Sequence, residues 1–233
     1  MASAVLFVLA VLAPNPVEAD YRFADGVYLG SANLLPDWAD TLKRVRRQQP
    51  ALEACFAAPD SCPRHLRGVS ALVERIRDLD LNRQLRVVNR YINRRHYRHD
   101  RSAEVPSAMS GDTVRVRSRW STLTEFMRRG GDCEDYATSK YQLLRALGVA
   151  AADMRVVVVY DRDSREHHAV LAVRQADDDG AWLLDSDDQI YRGHPFGYRF
   201  VYALNETSIW DHELDPETWA RQTQPQEPPE ESS

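Results

Sequence analysis

A single cysteine lies among three carboxylates in the segment GGDCEDYATSKYQLLRALG, residues 130–148. The cysteine is Cys133, and the acids are Asp132, Glu134 and Asp135. The periodicity predicts a helix over 133–147 with Asp132 as its side-chain N-cap. Cys133 then occupies the first helical position, where free N–H groups and the helix dipole favour a thiolate. The segment therefore predicts a nucleophilic cysteine.

The three acids work against that role, because nearby negative charge raises the pKa of a thiol. Asp132 and Asp135 are three residues apart and share a helix face, with Glu134 alongside. Hard oxygen ligands in a flexible turn suit calcium, and a bound cation removes the repulsion. We predict a Ca²⁺ site on Asp132, Glu134 and Asp135. The alternative is that these acids only complement the helix dipole.

A nucleophilic cysteine also needs a base, and the strand-like run 167–173 begins with two histidines, His167 and His168. Adjacent strand residues face opposite ways, so only one of the two can face Cys133. The orienting acid should follow the neighbouring strand, 181–185, where the candidates are Asp185, Asp187 and Asp188. Cys, His and Asp in this order predict a nucleophile, a base and an orienting acid.

The remaining pattern predicts an α+β domain. Helical periodicity covers 38–47, 67–79, 81–97, 120–128 and 133–147, and 100–118 is predicted as an irregular loop. Strand-like runs cover 155–160, 167–173, 181–185 and 198–204. Because no helical pattern separates these runs, the sheet should be mainly antiparallel.

The composition and the two ends limit where this protein acts. Residues 2–13 are apolar but too short for a comfortable bilayer span, and a small-x-small site ends at Ala19, which predicts a signal peptide over 1–19. One exported domain, not embedded in a membrane, is predicted over 20–221, and a disordered tail over 222–233. The net charge of −5 gives no case for a nucleic-acid partner.

Two further cysteines, Cys55 and Cys62, bracket a short segment with a turn signal. In an exported protein this spacing predicts a disulfide, and two reduced core cysteines are the alternative. Lys140 is predicted to extend its ammonium group to solvent, the alternative being a pair with a core acid. Asn89 and Asn93 share a helix face and are predicted to be buried groups that support the site.

The segments GDCEDYATSKYQLLRALGV, HAVLAV and LLD resemble the bacterial transglutaminase-like cysteine peptidases, the group that contains the LapG-type periplasmic proteases. VVNRYIN and the pattern W-x-x-L-x-E-F extend the resemblance over about 28–210. It implies a papain-like or transglutaminase-like core, with the catalytic helix packed on an antiparallel sheet. Motif matching implies the triad Cys133, His168 and Asp185. Ser186 stands where the family usually has Asn, which leaves Asp187 open as the acid.

LapG-type proteases cut large surface adhesins, bind calcium on this motif and are sequestered by a membrane receptor that senses cyclic di-GMP. The resemblance therefore implies a periplasmic, calcium-dependent cysteine endopeptidase that acts on an adhesin and controls biofilm release. A cyclic di-GMP receptor is the implied partner. Two other functions stay open: an acyltransferase using the same thioester chemistry, and a non-catalytic binding module of the same fold.

Overall fold

Periodic apolar residues form five α-helices in the part of the chain that the structure describes. These are α1 (Pro36–Ala57), α2 (Arg67–Ile76), α3 (Leu81–Asn93), α4 (Leu123–Arg129) and α5 (Cys133–Ala146). The sequence predicts all five, with different ends. Helix α1 runs through Pro50 and past the predicted end at 47, because Leu52 and Phe56 pack against the core and Cys55 is buried. Helix α3 ends before the predicted 97.

The structure is a computed structural model that describes residues 20–99, 103–106, 113–116, 119–176, 179–193, 195, 197–215 and 217, with only the backbone over 103–106 and 113–116. The predicted signal peptide and tail lie outside these residues, as do Asp177 and Asp178 of the predicted turn. None of the described helices is both long and apolar enough to cross a bilayer.

Seven strands form one sheet in which every neighbouring pair is antiparallel, in the order β1-β9-β8-β4-β5-β6-β7. They are β1 (Val27–Ser31), β4 (Met154–Asp161), β5 (Glu166–Arg174), β6 (Ala181–Leu184), β7 (Ile190–Arg192), β8 (Tyr198–Leu204) and β9 (Ser208–Asp211). The predicted α+β class and antiparallel sheet are confirmed. The sequence does not predict β1, β7 and β9, which are too short to show a clear period of two.

The predicted irregular loop at 100–118 is wrong over part of its length. Strands β2 (Ala103–Pro106) and β3 (Thr113–Val116) form a separate antiparallel pair, with Ala103 opposite Val116. Both strands contain the β-branched residues that favour an extended backbone. One proline and one glycine in the segment, Pro106 and Gly111, obscure that preference in the sequence.

The central strands β4 and β5 are covered on both faces. Val156 and Leu171 face the helices, whereas Val157 and Val170 face a second apolar cluster that includes Tyr21. Burial on both faces explains why these strands read as continuous apolar runs. The result is a rigid central pair of strands, of which β5 carries both candidate histidines.

The predicted disulfide between Cys55 and Cys62 is confirmed, with a Cα–Cα distance of 4.6 Å. It joins the end of α1 to the segment before α2, and both cysteines are buried.

We expect Cys55→Ser/Cys62→Ser to lower the free energy of unfolding by about 2–3 kcal/mol, because the closed loop no longer restricts the unfolded chain. Urea unfolding measures this. Cys133→Ser, which keeps the disulfide, is the control, and equal stability of the double variant and the wild type would contradict the expectation.

Candidate active site

A two-glycine turn places Cys133 at the start of α5. Gly130 ends α4 with φ at 71°, and a Cβ there would lie 2.1 Å from the His96 carbonyl oxygen. A Cβ on Gly131 would lie 1.9 Å from Oδ2 of Asp135. Both positions therefore require glycine for close packing within the chain.

The N-cap interaction predicted for Asp132 is wrong, because its side chain makes no capping hydrogen bond. The carboxyl group of Asp132 instead lies close to Glu134, where its charge raises the pKa of Glu134. The backbone carbonyl of Asp132 accepts the Tyr136 N–H at 3.0 Å, which starts the helix. Cys133 thus keeps its place at the first helical position without side-chain capping.

His168 lies on β5 next to the cysteine. It pairs with Val159 of β4 and is half-buried. Cys133, His168 and Ala169, the residue after His168, line the same small cleft. His167 is exposed, and its ring contacts Tyr160 with centroids 5.6 Å apart. The structure therefore brings His168 into the immediate surroundings of the thiol.

Asp185 follows directly after β6 and is 1% exposed. Its Oδ1 lies 2.7 Å from Nε2 of His168, and its Oδ2 accepts the Tyr198 hydroxyl at 2.7 Å. Burial alone raises the pKa of Asp185, but the hydrogen bonds from His168 and Tyr198 hold it below its ordinary value. Asp187 and Asp188 are exposed, and Asp187 accepts the Tyr191 hydroxyl instead. Asp185 is the candidate acid that contacts His168.

Two tyrosines at the site were not predicted. Tyr198 lies on β8 and donates its hydroxyl to Asp185, and Tyr97 forms a β-bridge with Gly131, two residues before Cys133. Each reaches the site from a different part of the chain, and nothing in its local sequence distinguishes it from a core tyrosine.

Burial and the neighbouring acids oppose ionisation of the Cys133 thiol. Oε2 of Glu134 lies 3.2 Å from Sγ of Cys133. Burial, followed by the charge of Asp132, raises the pKa of Glu134 to about 8. Burial, followed by the charges of Glu134 and Asp132, also raises the pKa of Cys133. These effects oppose the stabilisation that a helix N-terminus gives to a thiolate.

The acids fit a hard cation only in part. The carboxyl groups of Asp132 and Glu134 lie close together, and a bound cation would relieve the repulsion between them. Asp135 is buried, and its Oδ1 already accepts the Ser121 N–H at 2.5 Å. Within the described ranges, no three His, Cys, Asp or Glu side chains converge in a metal-binding group. The Ca²⁺ site on the three acids therefore stays a prediction.

A small cleft opens beside the thiol. Its volume is about 170 Å³, and Cys133, Glu134 and His168 line it together with aromatic and aliphatic side chains, among them Leu35, Trp38, Trp120, Val158 and Tyr202. A cleft that combines apolar walls with a few polar groups is a common form of ligand-binding site.

Three residues of α3 and α5 hold the segment after β6. The prediction that Lys140 reaches solvent is wrong, because this face of α5 packs against the sheet and Lys140 is 0% exposed. Burial lowers the pKa of Lys140 to about 7, against the charge of Asp185. Its Nζ donates to the Asp185 carbonyl at 2.8 Å. Asn93 donates to the same oxygen but is half-buried, not buried as predicted. Asn89 is buried as predicted and donates to the Gln189 carbonyl.

Comparison with known proteins identifies the family and the fold. A family model described as bacterial transglutaminase-like cysteine proteinase matches residues 52–220. Legionella pneumophila LapG is 22% identical, with a TM-score of 0.57 over 72% of this chain and 90% of that chain. Its calcium-bound structure is 23% identical, with a TM-score of 0.57 over 70% and 88%. No curated protein matches the sequence. At these identities the solved structures show a shared fold.

Proposed function

The chain belongs to the bacterial transglutaminase-like cysteine proteinases, and from this premise we propose that it is a calcium-dependent cysteine endopeptidase of the periplasm with an adhesin as substrate. The observation that carries the catalytic assignment is the 2.7 Å contact between His168 Nε2 and Asp185 Oδ1, next to the Cys133 cleft. This leaves Nδ1 of His168 as the ring nitrogen for the thiol proton. Cys133 is the nucleophile, His168 the base and Asp185 the orienting acid.

In the acylation step, His168 accepts the Cys133 proton, and the thiolate attacks the carbonyl carbon of the scissile peptide. The positive end of α5 stabilises the negative charge that develops on the carbonyl oxygen. The protonated His168 then donates its proton to the leaving amine, which departs as the new amino terminus. Asp185 stabilises the charged ring throughout, because its carboxylate is ionised and hydrogen-bonded to Nε2.

In the deacylation step, His168 takes a proton from water, and the resulting hydroxide equivalent attacks the thioester carbon. Collapse of the intermediate breaks the C–S bond and releases a carboxylic acid. The sulfur leaves as a thiolate and regains its proton from His168. The enzyme returns to its starting state.

Asp132, Glu134 and Asp135 are the proposed ligands of Ca²⁺, which when bound neutralises the acids beside the thiol. The contact between Asp132 and Glu134 and the raised pKa of Glu134 support this proposal. The solved Legionella LapG structures include one described as calcium-bound and one described as EGTA-treated.

The periplasmic location rests on the predicted signal peptide over 1–19 and on the disulfide, which is typical of exported proteins. The adhesin substrate, the role in biofilm release and a membrane receptor that senses cyclic di-GMP rest on the family resemblance. The cleft is open at the surface and has both apolar and polar lining, so a segment of a protein substrate can reach the thiol.

The proposed function is tested by incubating the purified protein with an N-terminal adhesin fragment, with and without a primary amine. We expect two fragments in both reactions, detected by mass spectrometry. A mass gain from the amine would identify an acyltransferase instead. An intact fragment of unchanged mass would favour a binding module and contradict the proposal.

Replacing each aspartate with asparagine tests whether Asp185 or Asp187 is the orienting acid. We expect Asp185→Asn to lower kcat about 100-fold or more, because the amide carries no charge to stabilise the protonated His168. Asp187→Asn is the matched control, since Asp187 is exposed and bonds Tyr191. Its kcat should stay within about threefold of the wild type. The reverse order of the two effects would assign the role to Asp187.

A further inference from the structure

We propose that Lys140 and Asn93 are positioning residues that hold the carboxylate of Asp185 on His168 by fixing the backbone carbonyl of Asp185. The inference rests on the proposed function, because it adds two residues to the same triad. Neither residue touches the cleft that contains the thiol. Both act through the chain segment that carries the acid.

The two residues bind one oxygen from two different helices. Nζ of Lys140, on α5, lies 2.8 Å from the Asp185 carbonyl oxygen, and Nδ2 of Asn93, on α3, lies 2.7 Å from it. A carbonyl oxygen has two lone pairs, so these donors fill both. The carbonyl can neither rotate nor shift without losing one of the bonds. The backbone of Asp185 is thereby fixed against the helices.

We call the two hydrogen bonds from Lys140 and Asn93 to the Asp185 carbonyl the clamp. It is needed because Asp185 lies just beyond the regular sheet. Strand β6 ends at Leu184, and the chain returns at Ile190 to form β7. Within this turn, the Asp185 N–H donates to the Gln189 carbonyl at 3.2 Å, and Asn89 Nδ2 donates to that same oxygen at 3.1 Å. Helix donors therefore hold both ends of the turn that presents the acid.

The residue type at position 140 supports a specific role. A lysine with 0% exposure carries a large desolvation cost that methionine or leucine would avoid. Within the described residues, no carboxylate lies in ion-pair contact with Lys140, and its Nζ donates to the Asp185 backbone carbonyl. The nearby ring of Tyr136 is 6.0 Å away. The hydrogen bond from Nζ to the Asp185 carbonyl oxygen explains why a lysine occupies this buried position.

The carboxylate of Asp185 must stay within hydrogen-bonding distance of His168 while the ring gains and loses a proton. A displacement of about 1 Å at a catalytic group can cost about 100-fold in rate. Loss of one donor frees one lone pair of the carbonyl and allows such movement. The effect should appear in the chemical step, because Lys140 and Asn93 do not line the cleft.

The test is a double-mutant cycle on cleavage of the adhesin fragment. We expect Lys140→Met to lower kcat by 10-fold or more, with KM within about threefold, and Asn93→Ala to act in the same direction. Combined with Asp185→Ala, neither change should lower kcat further, because both act through that carboxylate. Lys43→Met is the matched control, since Lys43 is exposed on α1 and should leave kcat unchanged. Additive losses in the Asp185→Ala background, or unchanged kcat in both single variants, would overturn the proposal.

A second readout does not depend on proteolysis and separates this inference from the proposed function. The Nε2 proton of His168, hydrogen-bonded to Asp185, should give a low-field ¹H NMR signal that Asp185→Ala removes. We expect Lys140→Met and Asn93→Ala to broaden or lose this signal and Lys43→Met to keep it, even if no substrate is cleaved. Thermal unfolding shows whether each variant is folded. If Lys140→Met does not fold, Asn93→Ala is used for the test instead. An unchanged signal in a folded Lys140→Met or Asn93→Ala protein would refute the clamp.

Discussion

Replacing Cys133 with alanine is expected to abolish cleavage of the adhesin fragment, lowering kcat on the order of 10⁴-fold or more. The sulfur forms the covalent thioester in the proposed mechanism, and no other described side chain in the cleft can replace it as a nucleophile held against His168. The fold should survive, because the change removes one half-buried atom at the first position of α5. Initial rates and thermal unfolding of the two proteins measure both effects.

The controls for this prediction come from the histidine pair. His168→Ala should lower kcat comparably, because the thiol then loses its proton acceptor. His167→Ala is the matched control, since His167 is exposed and contacts Tyr160. A Cys133→Ala protein that still cleaves at a substantial rate would show the catalytic assignment to be wrong.

Removal of calcium is expected to abolish activity and to lower the melting temperature. Without the cation, burial and the charge of Glu134 keep the pKa of Cys133 raised, so little thiolate forms at neutral pH. A ligand at 100 times its Kd stabilises the folded state by about 2.7 kcal/mol. For a domain of this size that corresponds to a shift of roughly 5–10 °C. Thermal unfolding and cleavage in CaCl₂ and in excess EGTA measure the two effects.

The variant Glu134→Gln provides the matched test of the site itself. It removes one proposed ligand charge next to the thiol, so the calcium-dependent shift in melting temperature should shrink or vanish. Magnesium at the same concentration is the control for general ionic effects, because its tighter octahedral preference suits this turn poorly. Full activity of the wild type in excess EGTA would refute the calcium proposal.

The elements that position the site could be predicted because their sequence patterns are long. Helix α5 has a stop glycine, and β4 and β5 are buried on both faces, which gives continuous apolar runs. The short strands β1, β7 and β9 depend on pairing with neighbours distant in sequence. Residues close in sequence cannot reveal such pairing. The continuation of α1 through Pro50 likewise depends on packing against the core, which the local sequence does not show.

Within the site, the sequence pattern identified the types of group but could not determine the contacts between them. The choice among Asp185, Asp187 and Asp188 depends on the geometry of the turn after β6, which sets only Asp185 against His168. The predicted orientation of Lys140 failed because burial of that helix face left the Asp185 carbonyl as its partner. Tertiary packing decides both outcomes.

Alkylation of Cys133 tests most directly whether His168 activates it as a nucleophile. Because Cys55 and Cys62 are disulfide-bonded, iodoacetamide should add one label, which intact-protein mass spectrometry can follow over time. With calcium at neutral pH, we expect labelling at least about 10-fold faster in the wild type than in His168→Ala, because His168 accepts the thiol proton. Equal rates in the two folded proteins would contradict the proposed triad.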